Sequence, residues 1–210
     1  MKKVLITVGI IVGALLIISL GTVINNFSND LNIPDNKTNT SANISLSPQT
    51  SSKEYYDFID TNYYTFNYTE DELIKIICGG RNYTDGYRKS ASTKDRNTSL
   101  YTMMTSQDGF SGIETISITT DTSNYKVKEF SFSFVSNNNL TQDSSMSLLN
   151  AYLTQGISVL LGKRNQDMTS QENSKVDNII QEMLDYKEKG LSYNSSKELK
   201  SVTATFTATK

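Results

Sequence analysis

The sequence predicts an α+β protein with an N-terminal transmembrane helix, a flexible tether, and a two-layer domain in which a helical hairpin covers one face of an antiparallel sheet. Three observations predict it. Residues 4–24 carry no charge. Residues 115–119, 130–134 and 202–209 alternate apolar and hydroxyl side chains. Residues 141–161 and 169–189 space apolar side chains three and four apart, between a capping Thr and a stopping Gly.

The uncharged run comes first. As a helix, twenty-one residues reach about 32 Å, enough for a hydrocarbon layer of about 30 Å. Leu5, Ile10, Leu15, Leu16 and Ile17 are among the side chains that would face lipid. Lys2 and Lys3 precede the run and no base follows until Lys37, so the positive-inside bias keeps the N-terminus cytoplasmic and exports the rest. The expected divisions are 1–27 for the cytoplasmic tip and anchor, 28–53 for a disordered linker, and 54–210 for the extracytoplasmic domain. The alternative is a secreted protein, with Ser19-Leu20-Gly21 as the site of signal-peptide cleavage. No Cys near the end of the run is placed to take a lipid. Gly9 and Gly13 match the small-xxx-small pattern through which membrane helices pair, the basis for a weak homodimer. Residues 28–53 hold both prolines and few large apolar side chains, the composition of a tether.

Composition narrows the chemistry. Residues 54–210 carry sixteen bases and twenty acids, a net of −4, which argues against a nucleic-acid partner. Among 210 residues there is no His, and so no Ser–His or Cys–His nucleophile and no imidazole metal ligand. No glycine loop for phosphate, no calcium loop and no dinucleotide motif occurs, so no cofactor is expected. Cys78 stands alone, which leaves an exported domain to be held by its core. That poverty of Cys suits a Gram-positive-type cell surface, and the abundance of Asn, Lys, Ile, Tyr and Ser fits an AT-rich genome.

Along the domain, residues 53–68 are rich in aromatics, with Tyr64, Phe66 and Tyr68 alternating as in a short strand. Thr69-Glu-Asp-Glu72 is a capping box, its helix running through Leu73, Ile74, Ile76, Ile77 and Cys78 to Gly79-Gly80. Cys78 reads as a small buried apolar residue. Residues 81–96 read as a solvated loop or hairpin tip. Its bases interleave with tyrosines, and Arg81, Tyr83, Tyr87, Arg88 and Lys89 are the candidate ligand- or partner-binding residues.

Three strands, 100–105, 114–120 and 125–135, form a meander. Phe130, Phe132 and Phe134 share one face, while Val127 and Val135 fall on the other parity, which calls either for cover on both faces or for a bulge. The helix at 141–161 follows, and then the helix at 169–189, whose capping box is Thr169-Ser-Gln-Glu172 and whose Val176, Ile179, Ile180, Met183 and Leu184 turn inward. A last hairpin ends the chain, with Val202, Ala204, Phe206 and Ala208 facing in and a row of Thr facing out.

These residues favour a membrane-anchored extracytoplasmic binding module over an enzyme. Its partners would be the lipid bilayer and either an envelope polymer or another surface protein. The alternative is a cell-wall hydrolase using carboxylates such as Asp57 with Asp60 or the Glu70–Glu72 acids, which would have to stand within about 10 Å of each other in a cleft. A second alternative is an assembly factor for a membrane complex. The charge asymmetry predicts that alkaline phosphatase fused after Lys210 is active in intact cells. Activity appearing only after lysis would place the C-terminus inside.

Overall fold

The computed structural model describes residues 55–91, 97–107, 110–185 and 189–210. The anchor residues Leu5, Ile10, Leu15, Leu16 and Ile17, the Gly9–Gly13 pair and the tether lie outside them. Among the described residues, no helix is long and apolar enough to cross a membrane.

Two short strands, β1 (Ile59–Asp60) and β2 (Thr65–Phe66), precede helix α1 (Glu70–Ile77). Strands β3 (Arg88–Ala91), β4 (Thr98–Gln107), β5 (Phe110–Thr120) and β6 (Val127–Ser136) come next. Helices α2 (Gln142–Leu160) and α3 (Ser170–Asp185) then lead to β7 (Leu191–Lys197) and β8 (Ser201–Ala208). The larger sheet is antiparallel with order β3-β4-β5-β6-β8-β7, so the final hairpin returns to place β8 beside β6. All three helices pack on one of its faces, which makes the expected two-layer α+β domain with α1 added beside the hairpin.

Alternation dictates which face is covered. Ile116 and Ile118 from β5, Phe130, Phe132 and Phe134 from β6, and Val202, Ala204 and Phe206 from β8 are all buried. Leu149, Tyr152, Ile157 and Leu160 of α2, and Val176, Ile179 and Met183 of α3, close over them. Phe130 stacks on Phe206 with centroids 4.9 Å apart, and Phe66 of β2 meets Phe130 edge-on at 5.5 Å. The opposite face carries hydroxyls on successive strands, among them Thr115, Ser117, Ser131, Ser133, Thr203 and Thr205.

A bulge settles the parity of β6. The β5–β6 register shifts between Thr119 and Thr120, so Val127 and Phe130 both reach the core. Val135, on the other parity, is half exposed.

Four expectations are corrected. Residues 88–91 are a strand rather than part of a loop; they lack alternation and are exposed throughout, and pairing with β4 imposes their conformation. β4 and β5 are longer than their apolar cores, because a ladder with a partner continues through Ser, Thr and Gln. Leu184 was expected inward, yet it is 52% exposed because α3 is the last helix over the sheet and leaves its rim uncovered. Cys78 is half-buried rather than buried.

Gly156 marks the closest approach of α2 to the sheet. A Cβ there would lie 2.1 Å from the Phe206 ring. Ala favours helix over Gly by about 1 kcal/mol, but overpacking a core costs about 1–3 kcal/mol. Gly156→Ala is therefore predicted to lower the urea midpoint, and an unchanged or raised midpoint would show that α2 can lift without cost.

Candidate functional site

Two glycine-ended helices meet at one corner of the domain. The capping box starts α1: the Thr69 N–H donates to Glu72 Oε2 at 2.8 Å, and the Glu72 N–H donates to Thr69 Oγ1 at 3.4 Å. At its far end Gly79 and Gly80 adopt φ of +64° and +75°, and the Gly80 N–H donates to the Lys75 carbonyl at 2.8 Å. The chain thus doubles back, and Asn82 caps a short 3-10 turn over Tyr83–Asp85. Helix α2 ends at the same corner with Gly162, followed by Lys163 and Arg164. The Arg164 guanidinium lies so close over Gly79 that a Cβ there would stand 2.2 Å from its Cζ.

Two open cavities adjoin at this corner. One, of about 370 Å³, is lined by residues including Asp71, Lys75, Arg81 and Tyr83. The other, of about 260 Å³, is lined by Lys75 again and by Lys163, Arg164 and Asp167, and Gly80 borders both. Arg164 donates from Nε to Asp167 Oδ2 at 2.6 Å and from Nη2 to Oδ1 at 3.1 Å. Lys163 Nζ stands 2.5 Å from Glu172 Oε1, and that lysine with the Thr169 cap pulls the Glu172 carboxyl down to about 2. Lys75 and Arg81 form no ion pair among the described residues.

The structure scatters the five candidate binding residues. Arg81 and Tyr83 reach the first cavity. Lys89, exposed like the rest of β3, pairs with Glu70 at 2.6 Å, while the Tyr101 hydroxyl donates to the same carboxylate oxygen. Burial alone would raise the Glu70 pKa, but the bonds from Lys89, Tyr101 and Ser99 outweigh it and hold the group below its usual range. Arg88 pairs across β4 with Thr102 on the hydroxyl side. Tyr87 is directed into the core side, where it shares a hydrogen bond with Glu114.

Glu114 is the residue sequence reasoning missed. It stands between Met103 and Phe134 in the ladder, on the same parity as buried Ile116 and Ile118, and that parity was the available signal. Burial raises its pKa, and the Tyr87 hydroxyl opposes the rise only in part. Tyr152 of α2 lies close enough to feel its charge. Glu114 lines neither cavity. Burial likewise holds the Cys78 thiol up, against the pull of Arg81 and Arg164. Of the carboxylates considered for hydrolysis, Asp60 pairs with Lys126 at 3.4 Å and Glu72 is occupied as a cap. Among the described residues no cluster of acids and Cys could hold a metal ion. No family model, no characterised protein and no solved structure matches the chain.

The raised Glu114 predicts a pH dependence of opposite sign to that of the capping carboxylates. Folded protein holds this proton more tightly than unfolded protein does, so Glu114 favours folding at and below the ordinary value of 4.5 and loses that contribution as pH rises through its folded pKa. Glu70, Glu72, Glu172 and Glu182, all lowered, act the other way and lose theirs as pH falls below 4.5. Glu114→Gln should flatten the decline in Tm between about pH 4.5 and neutrality. An unchanged slope would remove Glu114 as its source.

Proposed function

We propose that this protein is a membrane-anchored, extracytoplasmic binding module whose ligand is an anionic envelope polymer bearing phosphate or carboxylate groups. One observation carries the reading: Lys75, Arg81, Lys163 and Arg164, drawn from distant parts of the chain, converge on two adjoining cavities. Lys163 and Arg164 are held by Glu172 and Asp167, so they form a fixed wall. Lys75 and Arg81 remain available for ligand oxygens. The two openings share a border, which suits successive charged groups of a chain better than one compact anion. With the domain at a net −4, attraction is local to this corner and binding is modest and salt-sensitive. The uncharged run at residues 4–24 supports the anchored location.

Hydrolysis by carboxylates has one observation behind it, the raised Glu114. Glu114 lines neither cavity, and the contact that steadies its charge is the Tyr87 hydroxyl, not a second carboxylate.

The test is retention of detergent-solubilised full-length protein on purified anionic wall polymer. Two exposed charge contacts at roughly 0.5–1 kcal/mol each predict about a tenfold loss for Lys75→Ala with Arg81→Ala, narrowing as salt is raised. Arg88→Ala, across the sheet, should bind like the parent. Equal retention by the double variant would refute the site.

A further inference from the structure

We propose that the protein is a homodimer through the β7 edge of its sheet, with β7 pairing antiparallel to β7 of a second copy. β7 is the last strand of the sheet and pairs with β8 alone. Among the described residues, the backbone bonds outside the ladders do not involve residues 191–197.

Natural sheets guard a free edge with charge, proline, a bulge or brevity. The other edge obeys this: β3 has four residues, two of them Arg88 and Lys89. β7 does not. It has seven residues, no charge before Lys197, no proline, and an unbroken register with β8. Such an edge accepts another strand, and β7 is complementary to itself. Pairing about Asn194, its midpoint, sets Lys197 opposite Leu191 of the second copy, so like charges do not meet.

A second observation points the same way. Helix α3 lies over β7, and its Leu184 is 52% exposed, next in an apolar row after buried Val176 and half-buried Ile180. A two-fold axis through Asn194 and perpendicular to the sheet keeps both helix layers on one side. It brings the two α3 helices toward each other across the seam, so that the outer surface of both helices leaves water. An unrelated extended peptide would complete the ladder but would bring no second helix layer beside α3.

The experiment uses the full-length chain in detergent, by sedimentation equilibrium. The parent should be dimeric, and Asn194→Lys should weaken the dimer by about tenfold or more, since like charges would then face each other across the seam, with the far-UV circular dichroism of the subunit unchanged. In a Cys78→Ser background, Asn194→Cys should form a disulfide-linked dimer under mild oxidation, because paired Cβ atoms stand about 4.5–5.5 Å apart. Ser123→Cys, in the β5–β6 turn, should not. A monomeric parent, an Asn194→Lys variant as dimeric as the parent, or crosslinking at Asn194 no greater than at Ser123 would each overturn the proposal.

Discussion

Phe206 lies beneath Gly156 and stacks on Phe130, and this contact sets how closely α2 can lie on the sheet. Each such ring contributes roughly 2–3 kcal/mol by leaving water. With no disulfide to assist, the order of the domain rests on this layer. The consequence is one-sided. Helices α1, α2 and α3 share the apolar face, and among the described residues no helix packs on the hydroxyl face. Polar groups that fall on the apolar side must find partners there. Glu70 finds Lys89 and Tyr101, and Glu114 finds the Tyr87 hydroxyl.

The basic corner follows from the same layering. Two helices side by side over the sheet both end there, one at Gly79-Gly80 and the other at Gly162. Each helix end carries about half a negative charge in unsatisfied carbonyls, and together they draw cations. Arg164 over Gly79 answers that need, and its bidentate bond to Asp167 fixes it in place. Part of the positive charge therefore serves the fold. Arg81 and Lys75 are the surplus, and a ligand-binding role rests on those two.

Local chemistry was legible in the residues and long-range placement was not. The capping boxes at Thr69 and Thr169 form as spaced, because each needs only four consecutive residues. The Phe and Thr alternation of β6 and β8 showed their faces, since burial of one face dictates that pattern. β3 was invisible, because Arg88-Lys-Ser-Ala91 has no apolar period and owes its conformation to β4. Arg81 and Tyr83 were readable as candidates, but Lys75, Lys163 and Arg164 were not. More than eighty residues separate Arg81 from Arg164, and nothing short of the packing of α1 beside α2 brings them together. In the sequence Tyr87 and Lys89 read as loop residues, and the pleat of β3 and its approach set them on the helix side of the sheet, Tyr87 against Glu114 and Lys89, still exposed, against Glu70.

Pairing at β7 and binding at the basic corner bear on each other. The corner lies by α1, on the β5 side of the sheet, and β7 is the opposite edge. At about 4.8 Å per strand, a β7–β7 dimer sets its two corners some 30–40 Å apart. A small anion gains nothing from two sites so separated. A polymer that reaches both turns its second contact into an intramolecular one, and retention then exceeds the affinity of either site by orders of magnitude. On the two proposals together, two cations per copy would be a poor trap for a free phosphate, but a pair of copies would hold a repeating chain. The proposed strand pairing and the proposed basic site therefore support each other, since a repeating anion is the ligand that would gain from both.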